Sequence, residues 1–159
     1  MKLFLDTEFT DFTNTELISI GIVDENGREF YAESTSFRRE VCSPFVVETV
    51  LPLLGQYPSA IVGTKRHIEH RLSQWLEEYR AWEDGAVICV DYATDLDLFI
   101  DLMSKSSVME FIRADNIWKN LDLPKIESWW QETGLPRHHA LYDARANRYG
   151  YCKTKDLDE

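Results

Sequence analysis

Three groups of side chains in this sequence could carry chemistry, and carboxylates dominate all of them. Near the N-terminus, Leu3-Phe4-Leu5 runs straight into Asp6-Thr7-Glu8-Phe9-Thr10. Near the C-terminus, His138 stands five positions before Asp143 in His138-His139-Ala140-Leu141-Tyr142-Asp143-Ala144. Between them lie Asp91, Asp95 and Asp97. Hard carboxylate oxygens suit magnesium or manganese, and a neutral imidazole suits a general base. Together they are the equipment for metal-assisted hydrolysis of a phosphodiester.

Spacing sharpens each group. Asp6 and Glu8 are two apart, so in an extended segment both side chains point to one face. Acidic pairs at strand exits are usually just solvated, but here a buried apolar strand leads into the pair and makes a rigid platform. A helix starting near Ala140 leaves His138 on the preceding loop and puts Asp143 in the first turn. Ala140, Asp143, Ala144 and Asn147 then share one face, whose small residues let the helix approach a sheet and carry Asp143 towards Asp6. His138 and His139 point in different directions, so one of them would do the chemistry. In the middle group Asp95 is preferred, because it opens a helix anchored by Leu98 and Phe99. An N-cap is its structural alternative. Asp91, which ends a strand, is the rival, and Asp97 points elsewhere. His67 and His70, three apart on a charged helix, read as a solvated face rather than a metal pair.

These residues need elements to hold them. Lys2 to Leu5 reads as a buried strand. Leu17 to Val23 alternates Ile18, Ile20 and Ile22 with Ser19 and Gly21, the period of a strand. Asn26-Gly27 is a hairpin signal, and Arg28 to Ser34 is the return strand. Pro44 to Leu54 reads as a short helix ending near Gly55. Thr64 to Trp82 repeats Ile68, Leu72, Trp75, Leu76 and Tyr79 at helical steps. Ala86 to Val90 is a buried strand, Asp95 to Met103 a helix, Ile126 to Thr133 a short helix closed by Gly134, and Ala140 to Tyr151 the last helix. Residues 105 to 126 show no clean period. The order is mixed α/β, in which strand ends usually hold the ligand. Without repeat or linker, residues 1 to 159 read as one domain.

Bulk properties exclude several classes. Apolar residues make up 44% of the 159, enough for a real core and against intrinsic disorder. No apolar run approaches the roughly 20 residues of a membrane span, so no membrane association is expected. Cys42, Cys89 and Cys152 fit neither a zinc nor a disulfide framework, which suggests a cytoplasmic protein. A net charge of −11 argues against tight binding to nucleic acid through a basic face. It leaves room for a small site that meets a nucleic-acid end through metal ions.

Taken in order, the segments resemble the DEDDh exonucleases of the ribonuclease H-like superfamily. Asp6-Thr7-Glu8 is similar to their first motif, and Asp95 within Tyr92-Ala93-Thr94-Asp95-Leu96-Asp97-Leu98 to the second. His138 to Ala144 is similar to the third, His-x-Ala-Leu-x-Asp-Ala. In that pattern histidine stands five before the aspartate, which selects His138 over His139. A sister group has tyrosine four before it, where this chain has His139. More narrowly, the chain resembles the short, stand-alone mycobacterial Rv2179c-like exoribonucleases. The similar stretches are Asp6-Thr7-Glu8-Phe9, Glu16-Leu17-Ile18-Ser19-Ile20-Gly21, Gly27-Arg28-Glu29-Phe30-Tyr31-Ala32 and Asp143-Ala144-Arg145.

The resemblance implies a mixed five-stranded sheet flanked by helices. It implies 3′-to-5′ release of nucleoside 5′-monophosphates from RNA or short oligonucleotides with two Mg2+ or Mn2+ ions. Asp6, Glu8 and Asp143 would hold the first ion and Asp6 the second, with Asp95 assisting through water. His138 would take a proton from the attacking water, and Phe9 and Thr10 would contact the terminal base and sugar. The implied partner is nucleic acid with a free 3′ end, single-stranded RNA or a 3′ overhang, and the implied assembly a homodimer. Trp129-Trp130 could serve its interface or fill a core. RNA rather than DNA rests on the resemblance alone, so a DNA 3′-5′ exonuclease is the alternative within the class. A non-catalytic acidic interaction protein would account for the charge but not for the ordered motifs and His138.

Overall fold

The alternation of Leu17 to Val23 and the Asn26-Gly27 turn build the centre of a mixed sheet. In the computed structural model, which describes residues 1–153, strands β1 (Lys2–Phe9), β2 (Leu17–Asp24) and β3 (Glu29–Ser34) form an antiparallel meander. The final six residues of the expected one-domain span, 154–159, lie outside the described residues. The Asp24 carboxylate closes the β2–β3 turn by accepting the amides of Asn26 and Arg28 at 2.8 and 2.9 Å. Gly27 sits there at φ +89°, a conformation that costs glycine little.

Strand β5 (Ala86–Val90) lies parallel beside β1, with β6 (Ile112–Asn116) parallel beyond it. On the other edge β4 (Ile61–Gly63) runs parallel to β3, giving the order β4-β3-β2-β1-β5-β6. The sheet therefore has six strands rather than five, and only β2 runs against the rest. The C-terminal ends of β1 and β5 emerge side by side, where open α/β sheets place their ligands.

Strand parity decides what reaches that edge. Leu3 and Leu5 of β1, with Ile20 and Ile22 of β2, pack under helices α2 (Lys65–Glu77) and α3 (Ala93–Met103). Phe4 faces the other way and packs with Cys89 and Ile117. On that side Val23 and Tyr31 meet Ala140 and Leu141 of α5 (Ala140–Gly150), and α4 (Leu123–Thr133) packs against α5. Asp6 and Glu8 share the parity of Phe4, and Thr7 that of Leu3 and Leu5.

Helix α5 sits unusually close to β2. A Cβ placed on Gly21 would come within 2.3 Å of the Leu141 amide nitrogen and 2.5 Å of the Ala140 carbonyl carbon. Gly21 is also the cross-strand partner of Asp6. Contact between α5 and the sheet is thus made directly beside the first acidic residue.

Several elements differ from their expected extents. β1 continues to Phe9, so the acidic pair lies within the strand; the register shifts only between Glu8 and Phe9. Ile18 leaves the alternation of Ile20 and Ile22 and packs with Val46, Val50 and Leu51. The segment 44–54 is split into helix α1 (Pro44–Thr49) and a 3-10 turn over Leu51–Leu53, because Pro52 has no amide to continue the helix. α2 stops at Glu77 rather than Trp82, α3 starts two residues early at Ala93, and α4 starts at Leu123 behind an Asp122 cap. The unreadable stretch holds β6. Among the described residues, no helix is long and apolar enough to cross a membrane.

Candidate active site

Each acidic residue reaches the site on a different part of the framework. Asp6 and Glu8 project from β1, Asp91 follows β5 directly, Asp95 lies in the first turn of α3 and Asp143 in the first turn of α5. They meet in a cleft of about 560 Å³ that His138 also lines. Two sets of carboxylates form there. Oxygens of Asp6, Glu8 and Asp143 lie within 4.8 Å of one another, and so do those of Asp6, Asp91 and Asp95. Asp6 belongs to both.

Hydrogen bonds orient these groups. Thr7, turned towards α3, donates from its amide at 3.1 Å and its hydroxyl at 2.6 Å to one oxygen of Asp95. Asn147, on the predicted inner face of α5, donates to Asp91 at 3.0 Å. The amide of His139 donates to the Asp143 carboxylate at 2.9 Å. In each case one oxygen is held by the protein while the carboxylate still reaches the cleft.

Crowding raises the proton affinity of the whole set. Burial, followed by repulsion from Asp95, Asp143, Glu8 and Asp91, pushes Asp6 well above the usual carboxylate range. Burial and then Asp143 and Asp95 push Glu8 up to about 9. Burial also raises Asp95 to about 7 against the hydrogen bonds of Thr7, and Asp143 to about 7 against the amides of His139 and His138. Among the described residues, no lysine or arginine lines the cleft to neutralise them. A donor set of carboxylate oxygens, compressed and without a counter-charge, fits hard divalent cations.

His138 stands at the exposed lip of the cleft with a left-handed backbone, φ +63°. Its ring meets the edge of Phe45 of α1 at 5.0 Å between centroids. Burial, with help from the Arg137 charge, lowers its pKa, so the imidazole is neutral at pH 7 and able to accept a proton. His139 is buried away from the cleft, stacked on Tyr31 and Tyr142.

The structure thus gathers Asp6, Glu8, Asp95, Asp143 and His138 as expected, and adds Asp91 to Asp95 instead of forcing a choice between them. Phe9 lines the cleft, and Thr10 does not. Thr10 is fully buried and its hydroxyl is used inside the 10–16 loop, donating to the Asn14 carbonyl and accepting the Glu16 amide. Three other aromatic residues line the cleft: Phe12, Phe45 and Tyr92, each more than half exposed. Phe9, Phe12 and Tyr92 form a chain of edge-to-face contacts at 5.1 and 6.0 Å. An aromatic residue in the polar run Asp11-Phe12-Thr13-Asn14 was the signal available for the first of these. His67 and His70 are exposed on α2, away from this cleft. Of the tryptophan pair, Trp130 is buried beside Trp129 with Arg137 over its ring.

A mixed sheet with carboxylates at the exits of the adjacent parallel strands β1 and β5, closed by a helix carrying another, defines the ribonuclease H-like α/β class. No protein-family model matches the chain. It is similar to the 3′-5′ exoribonuclease Rv2179c of Mycobacterium tuberculosis strain H37Rv and to the 3′-5′ exoribonuclease MT2234.1 of strain CDC 1551. Each is 32% identical over 162 aligned positions, covering 91% of this chain and 88% of the relative. The chain belongs to this 3′-5′ exoribonuclease family.

Proposed function

We propose that the chain is a metal-dependent 3′-5′ exonuclease that releases nucleoside 5′-monophosphates from RNA or short oligonucleotides. The observation that carries the reading is the pair of carboxylate sets sharing Asp6, with a neutral His138 at the lip. Asp6, Glu8 and Asp143 would hold one Mg2+ or Mn2+, and Asp6 with Asp95 the other. Bound there, such ions supply Lewis-acid polarisation of the scissile phosphate and charge neutralisation at the attacking and leaving oxygens.

The chain's own residues do the rest. His138 accepts the proton of the attacking water at its free imidazole nitrogen. The bond between phosphorus and the 3′ oxygen of the preceding nucleotide breaks, so the departing nucleotide keeps a 5′-phosphate. Phe9, Phe12, Phe45 and Tyr92 offer aromatic faces on which terminal bases of any identity can stack. Their placement, with the net charge of −11, favours recognition of a few nucleotides rather than a long backbone. RNA is favoured over DNA because the two relatives are 3′-5′ exoribonucleases, and a single domain acting as a cytoplasmic homodimer completes the reading.

The test is to incubate the protein with 5′-labelled single-stranded RNA and DNA of one sequence, with Mn2+ and then with chelator. The expected result is stepwise shortening of RNA from the 3′ end, abolished by chelator and by Asp6→Ala. Equal or faster shortening of DNA would move the reading to a DNA exonuclease. Unchanged cleavage by both Asp6→Ala and Asp143→Ala would end it.

A further inference from the structure

We infer that His139 is a positioning residue, an aromatic plate clamped between two tyrosines that fixes the backbone from which His138 and Asp143 act. The inference rests on the reading of His138 as the general base.

The His139 ring stacks on Tyr31 at 4.5 Å and 24° and on Tyr142 at 4.0 Å and 17°. Two rings so close and so nearly parallel to a third can only lie on its opposite faces. Tyr31 belongs to β3 and Tyr142 to the first turn of α5. The imidazole therefore ties the 134–139 loop to the sheet and to the helix at once. Tyr57 meets Tyr31 and Tyr142 at 5.3 and 6.4 Å, and the Arg145 guanidinium lies 5.3 Å over Tyr142. Arg145 is itself held by both oxygens of Glu29 at 2.6 and 2.8 Å, so the outer plate is fixed.

Both ring nitrogens of His139 are buried and neither has a hydrogen-bond partner. A ring kept for proton transfer or metal ligation needs one nitrogen free to a ligand and the other oriented by a partner. His139 has neither arrangement, so its flat face is what the structure uses. The backbone shows the consequence. The His139 amide is aimed at Asp143, and its carbonyl accepts the amides of Tyr142 and Asp143 at 2.8 and 3.0 Å. The preceding residue is His138, the only non-glycine residue at positive φ among those described. That conformation is costly for a residue with a Cβ and persists only where its surroundings impose it. No hydrogen bond from the His138 side chain is found among the described residues, so the direction of its ring follows from this backbone and from its edge contact with Phe45.

The experiment compares His139→Phe, His139→Ala and Tyr142→Leu with the parent, measuring kcat and KM on single-stranded RNA with Mn2+, Mn2+ affinity by calorimetry, and thermal midpoints. His139→Phe keeps the plate and loses both nitrogens. It should retain kcat within about threefold and keep the acid limb of the pH–rate profile. His139→Ala removes the plate and should lower kcat by about tenfold to a hundredfold, the cost of a misplaced reacting group, with KM within about twofold and Mn2+ affinity reduced, because Asp143 loses its fixed backbone partner. Tyr142→Leu, which opens one face, should lower kcat in the same direction. Loss of kcat in His139→Phe to the level of the alanine variant would overturn the inference, because the nitrogens would then matter. Parental kcat in a folded His139→Ala would overturn it too. Should that variant fail to fold, parental kcat in Tyr142→Leu would have the same force. His138→Ala separates the two ideas: if it keeps the parental rate, the base assignment falls, whatever the plate does.

Discussion

Thr7 lies between the two acids of β1 and shares the strand with them, yet it faces the other side and serves Asp95. Its hydroxyl and amide converge on one carboxylate oxygen, so Thr7 sets the direction of the group proposed to serve the second ion. Removing the hydroxyl in Thr7→Val should lower kcat or Mn2+ affinity by about 10- to 100-fold, the usual cost of losing a supporting hydrogen bond at a metal site. Titration of Mn2+ into that variant and the parent checks it. At the lip, burial first and then the Arg137 charge depress His138. The acid limb of the pH–rate profile should have a midpoint below about 6.5, the ordinary value for histidine. Arg137→Gln removes the positive charge, so the imidazolium becomes easier to form and the limb should move to higher pH. A limb that stays put would mean that Arg137 does not act on the base. The convergence of Asp6, Glu8 and Asp143 was legible because type and spacing pointed one way, whereas His138 was set apart from His139 only by the family pattern. Thr10 misled because sequence adjacency to an acidic pair says nothing about loop hydrogen bonds that draw a side chain inward.

Among the elements, α5 and β2 together decide whether a site exists. The helix brings Asp143 to Asp6 only because Gly21 leaves no side chain between them. Ala140 and Ala144 on the facing side are both fully buried, which explains why small residues recur there. In Gly21→Ala the added carbon would overlap helix backbone, which cannot rotate away as a side chain would. Overpacking of this kind costs about 1–3 kcal/mol or more. The thermal midpoint should fall, and activity should fall further than stability accounts for, since Asp143 is displaced. A variant with parental stability and rate would show that helix and strand can separate freely. The same scale explains what could not be read. β4 is three residues long, and β6, Ile112-Arg113-Ala114-Asp115-Asn116, is mostly exposed at the other edge. With one side open to water, an edge strand has no need of the apolar alternation that marks β2. β1 had the opposite problem: Asp6 and Glu8 hid its continuation, because the site demands charge where the strand pattern would put apolar residues.

Taken whole, the molecule stores unfavourable charge at the centre of its sheet edge. The folded-state proton affinities of Glu8, Asp95 and Asp143 lie above those of free carboxylates. Between those two limits the folded chain binds more protons than the unfolded one, so stability must fall as pH rises. The thermal midpoint of metal-free protein should therefore be higher near pH 5 than near pH 8. Mn2+ should restore it, and more strongly at the higher pH, where the acids are free to bind. With ligand at a hundredfold excess over Kd, the gain should be about 2.7 kcal/mol, or very roughly 5–10 °C for a chain of this size. Calorimetric scans at both pH values, with and without Mn2+, check both signs. A midpoint indifferent to pH and to metal would contradict the compressed acids described above.

Asp6 emerges with the first strand, while α5, which completes the cleft, comes after five other strands and four other helices. On the ribosome the early strands can begin to associate as they appear, but the late helix must arrive before the acids are gathered. With the proposed activity, a half-translated copy would be harmless to the message still threading through the ribosome. The arrival of α5 would itself be the act that arms the enzyme.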